Sequence, residues 1–231
     1  MDRERWLRRA QRVSDAFGLV LLLVLTTYVL ASVLSNRGWS AVLLTVSTGG
    51  TSIVALTSSH ARATLVRRAI WVAALATALA LISAVSGGRL PLNVASFLEI
   101  GLLAVAMAAV LRRVVTADSV SFRTILGAIS VYTALGILFT WAYGAIDRIE
   151  GGGFFGAGVA TKGSDFLFFS YTTLTTTGYG DLVPVGQVGR MVSGLEMMIG
   201  QIFLVTLVAG LVSLWRPGEG LLRRRADRSA G

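Results

Sequence analysis

Six stretches of this chain are long and apolar enough to cross a lipid bilayer, and no other feature constrains the fold as much. They are residues 16–34, 39–59, 69–86, 92–111, 124–146 and 191–215. A hydrocarbon core about 30 Å thick needs about 20 helical residues at about 1.5 Å each. Backbone inside hydrocarbon must satisfy its own hydrogen bonds, so runs of this kind fold as helices. Only two of them carry a charge, Glu99 in the fourth and Glu196 in the sixth. The composition agrees. With 54% hydrophobic and 14% charged residues, the chain has too little polar surface to cover a soluble core of 231 residues. A shorter apolar piece, 165–175, lies between the last two runs and is too short to span, so it is predicted to be re-entrant. The charged start followed by 16–34 has the look of a signal peptide. That run is too long for a signal core and no cleavage site follows it, so it reads as the first span.

The basic residues fix the orientation. One side holds the N-terminus, the loops near Arg62–Arg68 and Arg112–Arg123, and the C-terminus, with 16 of the 21 Lys and Arg. The other side holds Arg37, Arg89, Arg148, Lys162 and Arg190. Both termini are therefore expected in the cytoplasm, which requires an even number of spans. The net charge of +9 is a topology signal and not a nucleic-acid surface. Anionic lipid headgroups are the expected partners of the two cytoplasmic arginine clusters. The chain has no cysteine and a single histidine, His60, which leaves no thiol chemistry and no ordinary zinc site. Its carboxylates are dispersed, and no nucleophile stands beside a base, so enzyme activity is not expected.

The segment from Ser164 to Asp181 reads SDFLFFSYTTLTTTGYGD. It resembles the pore helix and signature sequence of potassium channels, usually written T-V-G-Y-G-D, and Pro184 follows at the matching distance. In simple two-helix members of that family a hinge glycine falls about twenty residues after the filter's second glycine, and Gly200 stands there. The resemblance is close over residues 124–215 and only architectural before them. It is to the prokaryotic potassium channel family, here with a six-helix subunit and one pore loop.

The resemblance implies an all-α membrane protein with six transmembrane helices, a re-entrant pore helix, a selectivity-filter loop and a tetrameric pore. The carbonyls of Thr176, Thr177, Gly178 and Tyr179 would bind K+, in a filter that runs to Gly180. The Tyr179 ring would brace the filter against the pore helix. The chemistry accounts for the residue types. Potassium sheds its water only where carbonyl oxygens replace the lost shell. Pointing successive carbonyls one way demands backbone angles that glycine adopts easily, which Gly178 and Gly180 supply. A helix ending beneath the filter adds a negative dipole end that favours a cation. One loop cannot ring an ion, so a homotetramer is expected. No cofactor is expected apart from K+ in the filter.

Thr177 stands where the family usually has Val, and because its ligand is a carbonyl, selectivity should survive. Phe168 and Phe169 replace tryptophans that many relatives carry, so the cuff around Tyr179 lacks indole donors. Asp181, Phe168, Phe169 and Glu196 are the candidate filter supports. The readings open for Glu196 are support of the pore helix or filter from behind, an ordinary interhelical hydrogen bond, or a protonated carboxyl at a subunit contact. Gly200 is the candidate hinge, and Gln201, Leu204, Val208 and Val212 share a helix face assigned to the inner cavity. Gly194 and Gly210 read as packing positions.

The expected domains are a basic N-terminus (1–15), a four-helix peripheral domain (16–115), a pore domain (116–216) and a short basic tail (217–231). Within the pore domain the outer helix is 122–146, the pore helix 165–175, the filter 176–180 and the inner helix 190–215. The fourth span has no Lys or Arg before Arg112, so steep voltage sensing is not expected. The tail is too short to fold into a regulatory domain. Gly151–Gly153 reads as a flexible extracellular turret. Glu99 is expected near the outer end of its span, partly within reach of water. The alternatives to a potassium channel are a weakly selective cation channel, a membrane subunit of a potassium uptake transporter and a non-conducting scaffold. The expected location is a plasma membrane.

Overall fold

Each apolar run becomes a helix, and most helices extend past the run into residues suited to the membrane surface. In the computed structural model of the chain, residues 17–34, 38–116, 122–156 and 161–214 are described. The helices are α1 (Phe17–Val33), α2 (Gly38–Ser58), α3 (Ala63–Ser86), α4 (Arg89–Val115), α5 (Phe122–Ile149), α6 (Gly163–Leu174) and α7 (Gln187–Leu214). Five of them, α2 to α5 and α7, are long and apolar enough to cross a membrane, while α1 is a shorter apolar helix over its 17 described residues. With 12 residues, α6 reaches only about 18 Å and cannot cross. The molecule is an all-α membrane protein, and no strand occurs among the described residues. The basic N-terminus and the tail 217–231 lie outside them.

The extensions follow simple electrostatics. The α3 helix begins before the expected span and takes in Arg67 and Arg68. The α4 helix carries Arg112 and Arg113 in its last turn, where the negative end of the dipole favours them. Counting only uncharged residues missed these turns, because helices continue into the headgroup layer. Between α3 and α4 the chain reverses at Gly87, whose φ of 68° is cheap for glycine and lets its N–H reach the Ser83 carbonyl.

The first four helices pack around small residues. Buried Ala69, Ala73, Ala76 and Ala80 form one stripe of α3, and a Cβ added at Gly49 of α2 would stand 3.0 Å from the Ala73 methyl. Such stripes let backbones approach where the hydrophobic effect gives no drive. Beyond them α5 is the hinge of the architecture, packed along α1 and α4 on one side and against α6 and α7 on the other. Val20, Val24, Leu56, Leu103, Val110 and Val131 fill the core that joins α1, α2, α4 and α5. A second core, almost wholly aromatic, lies behind α6.

Two sequence expectations need correction. Glu99 does not reach water: it is 0% exposed in the interior of the bundle. The glycine turret is not a free loop over its described part. Gly151, Gly152, Gly153 and Gly156 all have positive φ, and this tight path delivers Phe154 and Phe155 into the aromatic core. Phe154 donates its N–H to Asp147 Oδ1 (3.0 Å), and its carbonyl accepts from Val185 (3.0 Å). Its ring lies against Gly189 of α7, where a Cβ would come within 2.8 Å. Two adjacent phenylalanines after a glycine run were the signal that this loop is anchored.

Candidate functional site

The site is built on α6 and the segment that leaves its C-terminal end. The helix starts where Asp165 folds back, its Oδ2 accepting from the Lys162 N–H at 2.8 Å. A carboxylate there complements the positive end of the dipole. Phe166, Leu167, Phe169, Ser170, Thr173 and Leu174 form its buried face. Phe166 and Phe169 enter the aromatic core, with Phe169 meeting Tyr143 edge-on at 5.0 Å and Phe155 at 5.2 Å.

Three polar ties hold α6 in place. The first centres on Glu196 of α7, which is 0% exposed. Its Oε2 accepts from the Tyr143 hydroxyl of α5 at 2.5 Å, and its Oε1 lies 2.5 Å from Ser170 Oγ of α6. The Ser170 hydroxyl also lies 2.8 Å from the Gly136 carbonyl of α5. One carboxyl thus joins three helices. The second tie is Tyr171, whose hydroxyl donates to the Thr133 carbonyl at 2.6 Å. Its ring lies flat against Gly136, where a Cβ would come within 2.6 Å, and meets Tyr28 of α1 at 5.0 Å. The third tie is at the helix end, where the Tyr132 hydroxyl donates to the Leu174 carbonyl at 3.3 Å. Gly200 of α7 packs against that same carbonyl so closely that a Cβ would collide with it.

Beyond Leu174 the backbone N–H groups fold back onto the end of α6. Thr175 donates to the Tyr171 carbonyl (3.0 Å) and Thr176 to that of Thr173 (3.0 Å). Thr177 and Gly178 both donate to the Thr172 carbonyl, at 2.9 and 3.1 Å. In a trans peptide the C=O points opposite to the following N–H. The carbonyls of Thr175, Thr176 and Thr177 therefore face away from α6. Three residues here have positive φ: Thr176 at 56°, Gly178 at 53° and Gly180 at 79°. The two glycines were expected to do this. Thr176 was not, and for a β-branched residue the conformation is strained by about 1–3 kcal/mol. A contact of 2.8 Å between the Thr175 and Thr177 hydroxyls brackets it.

Residues 175–181 are all exposed in the single chain, Asp181 included. Tyr179 stacks on Phe168 of α6 with ring centroids 5.9 Å apart and planes within 3°. The two candidate phenylalanines thus part company. Phe168 lies against Tyr179, while Phe169 is buried behind α6. The Gln201 and Leu204 side chains are exposed, whereas those of Val208 and Val212 lie outside the described residues. The α7 helix runs unbroken through Gly200. A Cβ at Gly194, read from sequence as a packing position, meets nothing within 4 Å in the chain. No group of three or more His, Cys, Asp or Glu placed to hold a metal occurs among the described residues.

Sequence reasoning missed Tyr143, Ser170, Tyr171 and Gly136. A tyrosine deep in an apolar run needs a partner for its hydroxyl, so Tyr143 and Tyr171 carried a readable signal. Ser170 and Gly136 did not, since small residues serve everywhere in membrane helices.

Residues 128–216 match a family model described as "Ion channel". This stretch runs from α5 through α6 and the exposed loop to the end of α7, so the match covers every hydrogen bond of the three ties, though not Tyr28 of α1. No curated protein and no solved structure matches the chain.

Proposed function

We propose that the chain is one subunit of a potassium-selective channel, four copies of which surround a central pore and conduct K+ passively. The observation that carries this reading is the loop Thr175–Gly178. Its N–H groups are spent on the end of α6, and the carbonyls of Thr175, Thr176 and Thr177 are turned to the other side. In a ring of four, such carbonyls would face one axis and replace the water around a dehydrated K+. Thr176, Thr177, Gly178 and Tyr179 supply the ligands, and Gly180 ends the filter. The C-terminal end of α6 adds its negative partial charge beneath them.

Assembly is supported by the inner helix. Within the chain α7 buries a narrow stripe of Gly189, Ser193, Glu196 and Gly200. Met191, Leu195, Met198, Ile202 and Val205 remain exposed on its other faces. Four copies give those faces to subunit contacts and to the inner cavity, where Gln201, Leu204, Val208 and Val212 line a passage that closes by excluding water. Gly200 serves as the bending point of the gate, and its contact with the Leu174 carbonyl would transmit the bend to the filter's base. With the basic termini on the cytoplasmic face of a plasma membrane, the loop lies on the outer side, and the arginine clusters meet anionic lipid. With the arginines of α4 confined to its two ends, at Arg89, Arg112 and Arg113, the channel has no steep voltage dependence.

The test is flux from liposomes loaded with K+ or Na+. The wild-type chain should pass K+ in strong preference to Na+. Gly178→Ala, which places a side chain at a φ of 53°, should abolish that preference. Equal passage of the two ions by the wild type would refute the reading.

A further inference from the structure

Neither oxygen of Glu99 has a protein hydrogen-bond partner among the described residues, although the side chain is 0% exposed. Its Oε1 faces Gly49 of α2, where an added Cβ would stand 3.5 Å from it and 3.0 Å from Ala73 of α3. Thr45 and Ser52 share the face of Gly49 and are buried, but their hydroxyls donate to the Ala41 and Thr48 carbonyls. Among the described residues no positive charge neutralises the carboxyl. Three helices pack against α4. Of these, α2 carries no titratable group, and α3 carries only Arg67 and Arg68 in its first turns. On α4 itself the others are Arg89, Arg112 and Arg113, all at its ends. On α5, Tyr132, Tyr143 and Asp147 are engaged with Leu174, Glu196 and Phe154, and Arg123 lies in the first turn at the opposite end from Arg148.

Arg148 is the charge turned toward α4. Its Nε–H donates to Asn93 Oδ1 at 2.7 Å and its Nη2–H to Ser96 Oγ at 2.6 Å. Ser96 lies one turn before Glu99 on the same helix face. A half-buried guanidinium on neutral partners thus rests on Ser96, three residues and about 4.5 Å along the axis from a buried carboxyl without any partner.

We propose that Glu99 is a proton-binding site inside the α1–α4 bundle, and that Arg148 communicates its occupancy to α5. The choice of a proton over a metal cation follows from space. Neither the cavity beside Arg148 nor the smaller one beside Val20 and Leu103 is lined by Glu99, and the approach of Gly49 and Ala73 leaves no room for an ion with its oxygen shell. A proton needs none. With the proton bound, the carboxyl is neutral and Arg148 rests on Asn93 and Ser96. With the proton released to water, a bare carboxylate in low dielectric draws the nearest cation. Arg148 then moves one turn from Ser96 to Glu99 and carries the outer end of α5 along α4. Tyr143, five residues earlier on α5, bonds Glu196 and so passes the shift to α6. A cavity of about 100 Å³, lined by Thr48, Thr140, Trp141 and Arg148 among others, opens between the bundle and α6 and reaches Arg148 but not Glu99.

Infrared difference spectroscopy of the full chain in liposomes tests the site whether or not the chain conducts. The carbonyl stretch of a neutral acid should be present in the wild type, disappear as the buffer is made alkaline, and be missing one component in Glu99→Gln. Glu99→Asp, which keeps the acid and displaces the band, serves where Glu99→Gln fails to assemble. Identical acid bands in wild type and both variants would mean an ionised Glu99 and overturn the proposal. The flux arm rests on the channel reading. K+ flux should respond to pH in the wild type, lose that response in Glu99→Gln, and lose it in Arg148→Gln while the acid band persists. A pH response untouched by Arg148→Gln would overturn the coupling.

Discussion

Glu196 decides more than any other single side chain, because it joins α5, α6 and α7 out of reach of water. Removing one of its donors leaves a buried acceptor short. Tyr143→Phe and Ser170→Ala should each lower stability by about 1–3 kcal/mol, read as thermal unfolding in detergent. Combined, their effects should not add, since both act on one carboxyl. An additive double variant would show that the two bonds are independent and that Glu196 is not the junction. The glycines of α7 give a sharper contrast. Gly200→Ala drives a methyl into the Leu174 carbonyl and should disrupt folding or flux. Gly194→Ala meets open space in the chain, so it should be tolerated or gain about 0.5–1 kcal/mol from helix propensity. If both variants behave alike in unfolding and flux, the Leu174 contact has no special weight.

At the scale of elements, the aromatic core behind α6 is what fixes that helix. Phe154→Ala empties a site shared by Tyr143, Phe155, Phe166 and Phe169, and should cost about 3–5 kcal/mol. Protease sensitivity of the 150–156 segment should rise with it, and an unchanged digestion pattern would return that segment to the flexible turret expected from its glycines. The sequence made most elements legible. Run length located the helices, and 165–175 was too short to be anything but a non-spanning segment. Ends were less legible, because Arg67 and Arg113 look like loop residues until the headgroup layer is counted as part of the helix. The site was legible where a residue type has one use, as with Gly178 and Gly180. It was not where the reason is a neighbour distant in sequence: Gly136 matters only because Tyr171 lies on it, and Thr176 shows no sign of its positive φ.

Over the whole molecule, α5 divides two kinds of interior, a bundle of small and aliphatic residues and a core of aromatic rings. The exposed loop and the bare faces of α7 both belong to the second half, the part matched as an ion channel. On the tetramer reading, Met198→Arg on an exposed face of α7 should shift the purified protein from four chains to fewer, as read by native mass spectrometry. A fourfold particle that tolerates Met198→Arg and Ile202→Arg alike would place the subunit contacts elsewhere.

The bare flank of α7 also bears on how such a protein is made. Methionine, leucine, isoleucine and valine are as comfortable beside acyl chains as beside each other, so a newly inserted copy has no solvophobic push toward its sisters. On the tetramer reading, association must then come from shape and from mass action in two dimensions. If four copies form the pore, adding lipid at fixed protein should spread them apart, and conduction per chain should fall with that dilution long before any chain unfolds.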